Sequence, residues 1–383
     1  MIAEGLGCIS VAIWLYLVSA RGGFWRLREI VPRPEGQALP ASTVAAIVPA
    51  RNEADVVGLA IRSLLEQNYP ERLHVFLVDD DSSDGTAAAA QRAAEEVDGA
   101  DRLTVVQARP LPEGWRGKIW ALSEGIKRAA ESGYDCFLFA DADIVHASNN
   151  VTSLVAYAER NDLDLVSLMV KLSCKSLPEQ AVIPAFVFFF FMLYPPAWVA
   201  RKDRRTAAAA GGCILIRSVA LARMGGIAAI RGELIDDCAL ARAVKRAGRI
   251  SLGLTEGTRS LRSYTRWSDV EGMISRSAFA ELHHSVLLLA GTIASMTLTF
   301  CIPPLLIAMG SWAAALGLTA WLLMSCAFWP TVRFYGGSPL WAPLLPLTAA
   351  FYMGTTMHSA IRYWQGHGGT WKGRTQDPSR VRG

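Results

Sequence analysis

Four long apolar segments, almost free of charge, restrict the fold of this chain more than any other feature of its sequence. They occupy residues 2–20, 286–309, 311–329 and 340–357. A helix of about 20 apolar residues matches the thickness of the hydrocarbon core of a bilayer. We therefore expect an N-terminal transmembrane helix at 1–22 and a group of C-terminal transmembrane segments within 286–360.

Positive charges set the orientation that we predict for the first apolar segment. A signal peptide is the competing interpretation, but no basic residues precede the segment and no clean small-residue cleavage site follows it. Arg21, Arg26 and Arg28 come directly after it, and arginines beside a span favour the cytoplasmic side. We therefore expect a multi-pass protein of the inner (cytoplasmic) membrane, in which residues 23–42 are a Pro-rich linker to a cytoplasmic domain.

The basic tail at 361–383 conflicts with the simplest count of spans. An outward-facing N-terminus, one span before the central domain and three after it would place the tail outside the cell. The tail carries arginines and lysine, which favour the inside. Either one C-terminal segment does not cross or the first helix is peripheral, so the number of spans and the side of the C-terminus stay open.

A further apolar run, residues 181–200, is long enough to cross a membrane. Crossing there would place Asp141 and Asp237 on opposite sides and divide any site that they share. The prolines of the run, and the basic sequence "RKDRR" that follows it, fit a segment that lies in the membrane interface. We predict an interfacial segment, and a re-entrant loop is the second alternative.

Between the apolar ends, residues 43–261 alternate short apolar runs with segments of helical periodicity. Runs of the strand type are "TVAAIVPA", "HVFLVDD", "LTVVQA", "CFLFA" and "LDLVSLMVKL". This alternation predicts an α/β domain with a Rossmann-like mixed, mainly parallel sheet and flanking helices. Ligands of such sheets bind beyond the carboxyl ends of the strands. An amphipathic connector at 262–285 would join this domain to the C-terminal segments.

Two pairs of acidic residues come directly after predicted strands. Asp79 and Asp80 follow "HVFLV", and Asp141 and Asp143 follow "CFLFA". Capping of the next helix explains the later polar residues of "VDDDSSDGT" but not Asp79 and Asp80. Like charges at a buried strand end are unfavourable unless a cation lies there. Magnesium and manganese prefer carboxylate oxygens and recruit phosphates, so we predict that Asp141 and Asp143 bind Mg²⁺ or Mn²⁺.

A third acidic pair and one lysine complete the candidate site. Asp236 and Asp237 open a predicted helix in "ELIDDCALARAVKRAG". The helix dipole alone would favour one acidic residue at this position, but it does not explain two. One of the two could act as a general base. Lys118 precedes another helix in "GWRGKIWALSEGI". It could contact a nucleotide, or it could be a solvated lysine at a helix start.

Composition excludes several other classes of protein. The net charge of +4, with no basic stripe interleaved with stacking aromatic residues, does not indicate a nucleic-acid partner. The seven cysteines are scattered and form no CxxC pair, so neither a disulfide framework nor a Cys/His zinc site is expected.

Taken in order, five stretches of the chain resemble a known family. They are "VPARNE", "VDDDSSDGT", "GKIWAL", "DAD" and "IDDCAL". This ordered set resembles the family 2 glycosyltransferases with the GT-A fold over about residues 43–260. The flanking membrane segments and "GWRGKIWAL" look most like the hopanoid-biosynthesis-associated branch.

The resemblance implies an inverting glycosyltransferase of the hexosyltransferase class that uses a UDP-sugar. It implies donor-binding residues at Pro49, Ala50, Asn52, Glu53, Asp79, Asp80, Lys118, Asp141, Asp143, Arg266 and Trp267. Asp141 and Asp143 become the DxD pair, with Asp143 the more direct metal ligand. Asp237 takes the catalytic-base position, and Asp236 stands where the family commonly has glutamate.

The acceptor is less defined by the motifs. Processive members carry QxxRW, whereas "SYTRW" keeps Arg266 and Trp267 but has Ser263 at the first position. This departure argues against polymer synthesis and favours a membrane lipid acceptor, such as a hopanoid or another lipid alcohol. A polyprenyl-phosphate sugar transferase and a polysaccharide synthase are the alternatives within the family. Outside it remain a nucleotidyltransferase, although a glycine-rich pyrophosphate loop is missing, and a membrane scaffold with a vestigial transferase domain.

Overall fold

The computed structural model describes residues 1–27 and 40–366, with the backbone of 370–371 and 374–375. Most of the predicted linker (23–42) and of the predicted basic tail (361–383) therefore lies outside the described residues. Within them the chain forms an α/β domain and a set of apolar helices that pack against it.

An eight-stranded mixed sheet is the centre of the α/β domain. Its strands are β1 (Val44–Ala50), β2 (Leu73–Asp79), β3 (Leu103–Gln107), β4 (Cys136–Ala140), β5 (Ile144–His146), β6 (Leu165–Lys171), β7 (Cys213–Arg217) and β8 (Ile250–Ser260), in the spatial order β3-β2-β1-β4-β7-β6-β8-β5. Parallel pairs join β1 to β2 and β4, β2 to β3, and β6 to β8. Strand β7 runs antiparallel to β4 and β6, and β5 runs antiparallel to β8. The prediction of a mixed, mainly parallel sheet is confirmed.

Helices cover both faces of this sheet because alternate strand residues point to opposite sides. The helices of the domain are α2 (Ala54–Leu65), α3 (Thr86–Glu95), α4 (Gly117–Ala130), α5 (Asn150–Arg160), α8 (Ser218–Arg223) and α9 (Asp236–Lys245). In β1, Val44 and Ala46 belong to a core with α2, α3 and α5. Ala45 and Ile47 belong to a second core, which is continuous with the apolar helices.

The apolar part of the chain consists of helices at both ends and one long helix inserted in the domain. They are α1 (Ile2–Ser19), α6 (Leu177–Leu193), α7 (Pro196–Val199), α10 (Trp267–Ser275), α11 (Ala278–Glu281), α12 (Val286–Met296), α13 (Ile302–Ile307), α14 (Ser311–Phe334) and α15 (Leu345–Trp364). A π-helical segment, Thr297–Cys301, joins α12 to α13 directly ahead of two prolines, a place where helices kink. Strands β9 (Thr370–Trp371) and β10 (Arg374–Thr375) form a short antiparallel pair.

Four helical stretches among the described residues are long and apolar enough to cross a membrane. They are Ile2–Ser19, Leu177–Val199, Val286–Ile307 and Ser311–Phe334. Three of them coincide with predicted segments, and the fourth contains the run that we predict to be interfacial. The predicted segment at 340–357 falls mostly on α15, which is not among the four. Its threonines, its histidine and its arginine make it less apolar than the others.

Helix α6 is attached to the α/β domain near both of its ends. At its start, the Ser176 hydroxyl donates to the backbone carbonyl of Tyr264, and the buried Glu179 carboxylate accepts from the backbone N–H of Tyr264 at 2.7 Å. Beyond its end, the Lys245 ammonium of α9 donates to the backbone carbonyl of Val199 at 2.6 Å. Two attachments to one domain are the arrangement expected of a helix that lies along the domain.

Candidate functional site

The acidic pairs predicted from the sequence meet at one edge of the sheet. Asp79 ends β2, Asp141 directly follows β4, and Asp236 and Asp237 open α9. The carboxyl ends of β1, β2 and β4 share this edge because these strands are parallel. Gly211, just ahead of the antiparallel β7, brings the chain close to α9: a Cβ there would lie 3.3 Å from Asp237 Oδ2.

Lys118, in the first turn of α4, lies at the centre of this cluster. Its Nζ is 2.7 Å from Asp141 Oδ1 and 3.8 Å from Asp236 Oδ2. Burial opposes the charge of this ammonium, but the carboxylates of Asp141 and Asp236 outweigh burial and raise the pKa of Lys118 above its usual value. The lysine is therefore an internal counter-ion of the acidic cluster, and the alternative of a solvated lysine is wrong.

The loop directly ahead of Lys118 is held by contacts on both of its sides. Arg109 forms two hydrogen bonds of 2.7 Å with the Glu124 carboxylate, and the Trp120 indole donates to the Arg109 carbonyl. The backbone N–H of Arg116 donates to the carbonyl of Arg231 at 2.9 Å, which ties this loop to the segment ahead of α9. The positions of Lys118 and of the α9 acids are consequently linked.

Asp237 has the electrostatic properties of a base that works near neutral pH. Its Oδ1 accepts from the backbone N–H of Cys238 at 2.7 Å. Burial and the neighbouring Asp236 carboxylate raise the pKa of Asp237 to about 7, against the opposing effect of Lys118. Burial likewise raises the pKa of Asp141, and Lys118 limits that rise. Perturbed carboxylates gathered in a cleft mark a candidate catalytic site.

A small cavity of about 10 Å³ lies beside these groups, with room for about one water molecule. Its polar lining is Lys118, Asp141, Asp236 and Asp237, and its apolar lining includes residues of β4, β7 and the 3₁₀ turn Ile227–Ile230. In this conformation the Lys118 ammonium lies between the carboxylates of Asp141 and Asp236.

Asp143 has a different cationic partner. Its Oδ2 accepts from Arg262 Nε at 3.2 Å and from the Ser260 hydroxyl at 3.0 Å. The same guanidinium donates through Nη2 to Glu53 Oε1 at 3.0 Å. Burial opposes the charge of Arg262, but Asp143 and Glu53 raise its pKa. No sequence motif singled out Arg262; the available signal was its position directly beyond a strand at an acid-rich sheet edge.

The remaining predicted donor-binding residues form two interlocked loops after β1 and β2. Asn52, at φ 50°, accepts from the backbone N–H of Ser83 and donates its own backbone N–H to the Ser82 hydroxyl. Asp79 Oδ1 accepts from the backbone N–H of Ser82 at 3.0 Å. Arg51 lies 3.8 Å from the buried Asp80 carboxylate. Pro49 lines the small cavity, and Ala50 is buried at the end of β1.

Two predicted donor-binding residues, Arg266 and Trp267, make their contacts in α10 and α15. The backbone N–H of Arg266 donates to the Asp269 carboxylate in the first turn of α10. Trp267 packs its ring against Phe351 of α15, with the ring centroids 5.7 Å apart. The structure therefore does not place Trp267 at the acidic cluster.

The DxD pair fits a divalent cation in its chemistry, although each of its carboxylates already has a cationic partner. Among the described residues, no group of three His, Cys, Asp or Glu side chains is arranged to hold a metal ion. Both side-chain contacts of Asp143 fall on Oδ2, and Asp141 contacts Lys118 through Oδ1. Each carboxylate therefore has a second oxygen available, and a cation held by two carboxylates completes its shell with waters and phosphates.

Comparison with known proteins agrees with this geometry. A sheet of this topology, with acids at the strand ends, defines a GT-A fold, and residues 45–225 match the family model "Glycosyl transferase family 2". The mannosyltransferase PcManGT from Pyrobaculum calidifontis superposes with a TM-score of 0.54 at 20% identity, over 95% of this chain and 99% of that one. The family model and the solved structure therefore agree on a GT-A fold, and the similarity to family 2 glycosyltransferases covers residues 45–225.

Curated relatives match a shorter part of the chain. "Probable glycosyltransferase YdaM" of Bacillus subtilis (strain 168) is 28% identical over 142 residues, which are 36% of this chain and 32% of the relative. "N-acetylglucosaminyltransferase" of Rhizobium leguminosarum bv. viciae is 32% identical over 124 residues, 32% of this chain and 27% of the relative. The chain thus spans less than a third of the length of these two relatives.

Proposed function

We propose that this protein transfers a sugar from a UDP-sugar to a lipid acceptor in the membrane, with inversion at the anomeric carbon. The observation that carries the proposal is Asp237, a carboxylate with a pKa of about 7 in the same cleft as Lys118 and Asp141. A base with this pKa is partly ionised at neutral pH and can still accept a proton.

The reaction that we propose is a single displacement. The acceptor hydroxyl gives its proton to an Asp237 oxygen while its own oxygen bonds to the anomeric carbon of the sugar. The bond from that carbon to the diphosphate breaks at the same time, and the electron pair leaves with UDP. Because attack and departure occur on opposite faces of the sugar, the configuration inverts and no covalent enzyme intermediate is needed.

A divalent cation, Mg²⁺ or Mn²⁺, held by Asp141 and Asp143, would neutralise the charge that develops on the diphosphate. Asp141 has its second oxygen available for the cation while Oδ1 contacts Lys118. The Lys118 ammonium would contact a donor phosphate, because α4 holds it at the same edge of the sheet. Asp236 keeps the pKa of Asp237 high and so maintains its basicity.

A membrane orientation follows from taking α1, Val286–Ile307 and Ser311–Phe334 as the spans. Gly7 of α1 lies against Leu316 of α14, so the starts of these two helices are at the same depth. With α6 in the interface and α15 not crossing, three spans place the α/β domain and the tail together in the cytoplasm. This arrangement removes the conflict posed by the basic tail, and it is our proposal for the inner membrane.

A lipid acceptor is supported by where α6 meets the site. Ser176 and Glu179, at the start of α6, hold the backbone of Tyr264, two residues beyond Arg262. A mostly apolar helix therefore begins close to the DxD loop. A hopanoid or another lipid alcohol that enters along α6 would bring its hydroxyl toward Asp237, and a polyprenyl phosphate is the second acceptor to be tested.

The test uses purified full-length protein in lipid nanodiscs with Mn²⁺ or Mg²⁺ and total bacterial lipid that includes hopanoids. The donor panel begins with UDP-N-acetylglucosamine, because the Rhizobium relative is named an N-acetylglucosaminyltransferase. It includes GDP-mannose, because the solved neighbour was determined with GDP-Man and Mn²⁺. UDP release and transfer of label into the lipid phase are measured together.

We expect label in lipid from one donor, lost by about 10²-fold or more in Asp237→Asn and retained in the exposed control Asp101→Asn. Release of pyrophosphate in place of UDP would identify a nucleotidyltransferase. Equal activity in Asp237→Asn and wild type would refute the assignment of the base. Absence of both turnover and nucleotide binding would favour the scaffold alternative.

A further inference from the structure

Arg262 bridges two acidic residues that belong to different loops of the site. Its Nε donates to Asp143 at 3.2 Å, and its Nη2 donates to Glu53 at 3.0 Å. Both carboxylates are largely buried, with side chains 13% exposed, whereas the arginine side chain is 40% exposed. The guanidinium can therefore reach a ligand that arrives from solvent, while its acidic partners stay in place.

The backbone fixes Arg262 beside the DxD loop. Strand β8 pairs Ser260 with Ile144 of β5, and the backbone N–H of Leu261 donates to the Asp143 carbonyl at 2.8 Å. The backbone N–H of Arg262 donates to the Ser260 hydroxyl, which itself donates to Asp143. The register between β5 and β8 thus positions the Arg262 guanidinium beside Asp143. Helix α4 positions Lys118 beside Asp141 in the same way.

We propose that Arg262 is an exchangeable cation of the donor site: it neutralises Asp143 and Glu53 in the donor-free protein and moves to the diphosphate of the nucleotide when a divalent cation binds Asp143. The inference rests on the proposed function and assigns a residue to it. The negative charge of the diphosphate is about equal to the positive charge of the divalent cation. The exchange therefore leaves the net charge of the site nearly constant. A guanidinium also matches phosphate oxygens in geometry.

Placement favours Arg262 over Arg266, the residue predicted from the motif. Arg266 directly precedes α10, and its backbone N–H donates to the Asp269 carboxylate of that helix. The next residue, Trp267, packs on α15. The guanidinium of Arg262 instead contacts a DxD carboxylate directly.

The test measures binding and not turnover, with full-length protein in nanodiscs. Mn²⁺ is titrated alone, and UDP and GDP are then titrated at saturating Mn²⁺. For Arg262→Gln we expect Mn²⁺ alone to bind about tenfold tighter and the nucleotide to bind about tenfold more weakly. Arg262→Lys should restore part of both effects, because it keeps the charge. The matched control is Arg259→Gln, an exposed arginine on the same strand, for which we expect no change.

Opposite changes in the two affinities distinguish exchange from structural damage, which would weaken both. Weakening of both ligands, or no change in either, would overturn the inference and leave the proposed function intact. A loss of nucleotide affinity in Arg266→Gln, with Arg262→Gln unaffected, would also overturn it. Wild-type protein that binds Mn²⁺ but neither UDP nor GDP would refute the proposed function itself, and the exchange with it.

Discussion

Replacing Lys118 with methionine should move the pH dependence of the transfer reaction to higher pH. The substitution keeps an unbranched side chain but removes the ammonium that stabilises the ionised carboxylates. Asp237 must be deprotonated to accept a proton from the acceptor. Loss of a nearby positive charge disfavours the carboxylate form, so the pKa of Asp237 should rise further above its value of about 7.

The structure sets the size of this effect. A Cβ built on Gly211 would lie 3.3 Å from both the Lys118 ammonium and Asp237 Oδ2, so these two atoms are at most about 7 Å apart. With an effective dielectric constant of about 20, two unit charges at about 6–7 Å interact by about 2–3 kcal/mol. This corresponds to about two pKa units, and relaxation of the site and entry of water should reduce the observed shift to about one.

The assay is the pH profile of kcat/KM for the donor, between pH 5 and pH 9, for wild type and Lys118→Met, because this ratio reports the pKa values of the donor-free enzyme. We expect the acidic limb to move from about pH 7 to about pH 8, together with a lower maximum, since Lys118 is also a proposed donor contact. Lys127→Met, at the far end of the same helix and exposed, is the matched control and should keep the wild-type profile. A limb that stays in place, or moves to lower pH, would refute the reasoning.

Three further substitutions test other parts of the structure through the melting temperature in detergent. Asp237→Asn should raise Tm relative to wild type more at pH 8 than at pH 5. Because its pKa is raised, the folded protein binds more protons than the unfolded chain between about pH 4 and pH 7, so wild-type stability falls across that window. A pH-independent difference in Tm would contradict this. Gly125→Ala should lower Tm, because the added Cβ would lie 2.5 Å from Ile47 Cγ2. Overpacking costs about 1–3 kcal/mol, more than the gain of about 1 kcal/mol in helix propensity. An unchanged or higher Tm would show that β1 shifts to make room for the methyl group. Glu179→Gln should lower the free energy of unfolding by about 1–3 kcal/mol, because the buried carboxylate accepts from three backbone N–H groups. The exposed control Glu95→Gln should leave Tm unchanged. Equal Tm values for the two variants would argue against an anchoring role of Glu179.

The meeting of the acidic pairs could be predicted because it follows from local patterns. Apolar runs that end in acids predict strands, and parallel strands bring their carboxyl ends to one edge. This argument predicts that Asp79 and Asp141 lie at one edge, whereas Asp237 is predicted to belong to the site by the family resemblance. Strand β7, which lies antiparallel between β4 and β6, is not among the predicted strands. Periodicity would in any case not identify the partners of a strand.

Arg262 shows what local patterns cannot supply. Its contact with Asp143 joins residues 119 positions apart, and it depends on the register between β5 and β8. The family motif instead predicts Arg266 and Trp267, which lie four and five residues further along, at the start of α10. Similarly, the sequence indicated that Lys118 could meet a phosphate, but its pairing with Asp141 depends on how α4 packs against the sheet.

The shared core of the sheet and the apolar helices has a mechanical consequence. Residues such as Ile47 of β1, Phe188 of α6 and Phe328 of α14 belong to one continuous cluster. If the proposed spans cross the membrane, a domain that shares its core with them has no hinge, and Asp237 would lie at a fixed height above the bilayer. A lipid acceptor would then have to reach that height by its own length, so the distance between its hydroxyl and its lipid body would decide which lipids this protein can modify.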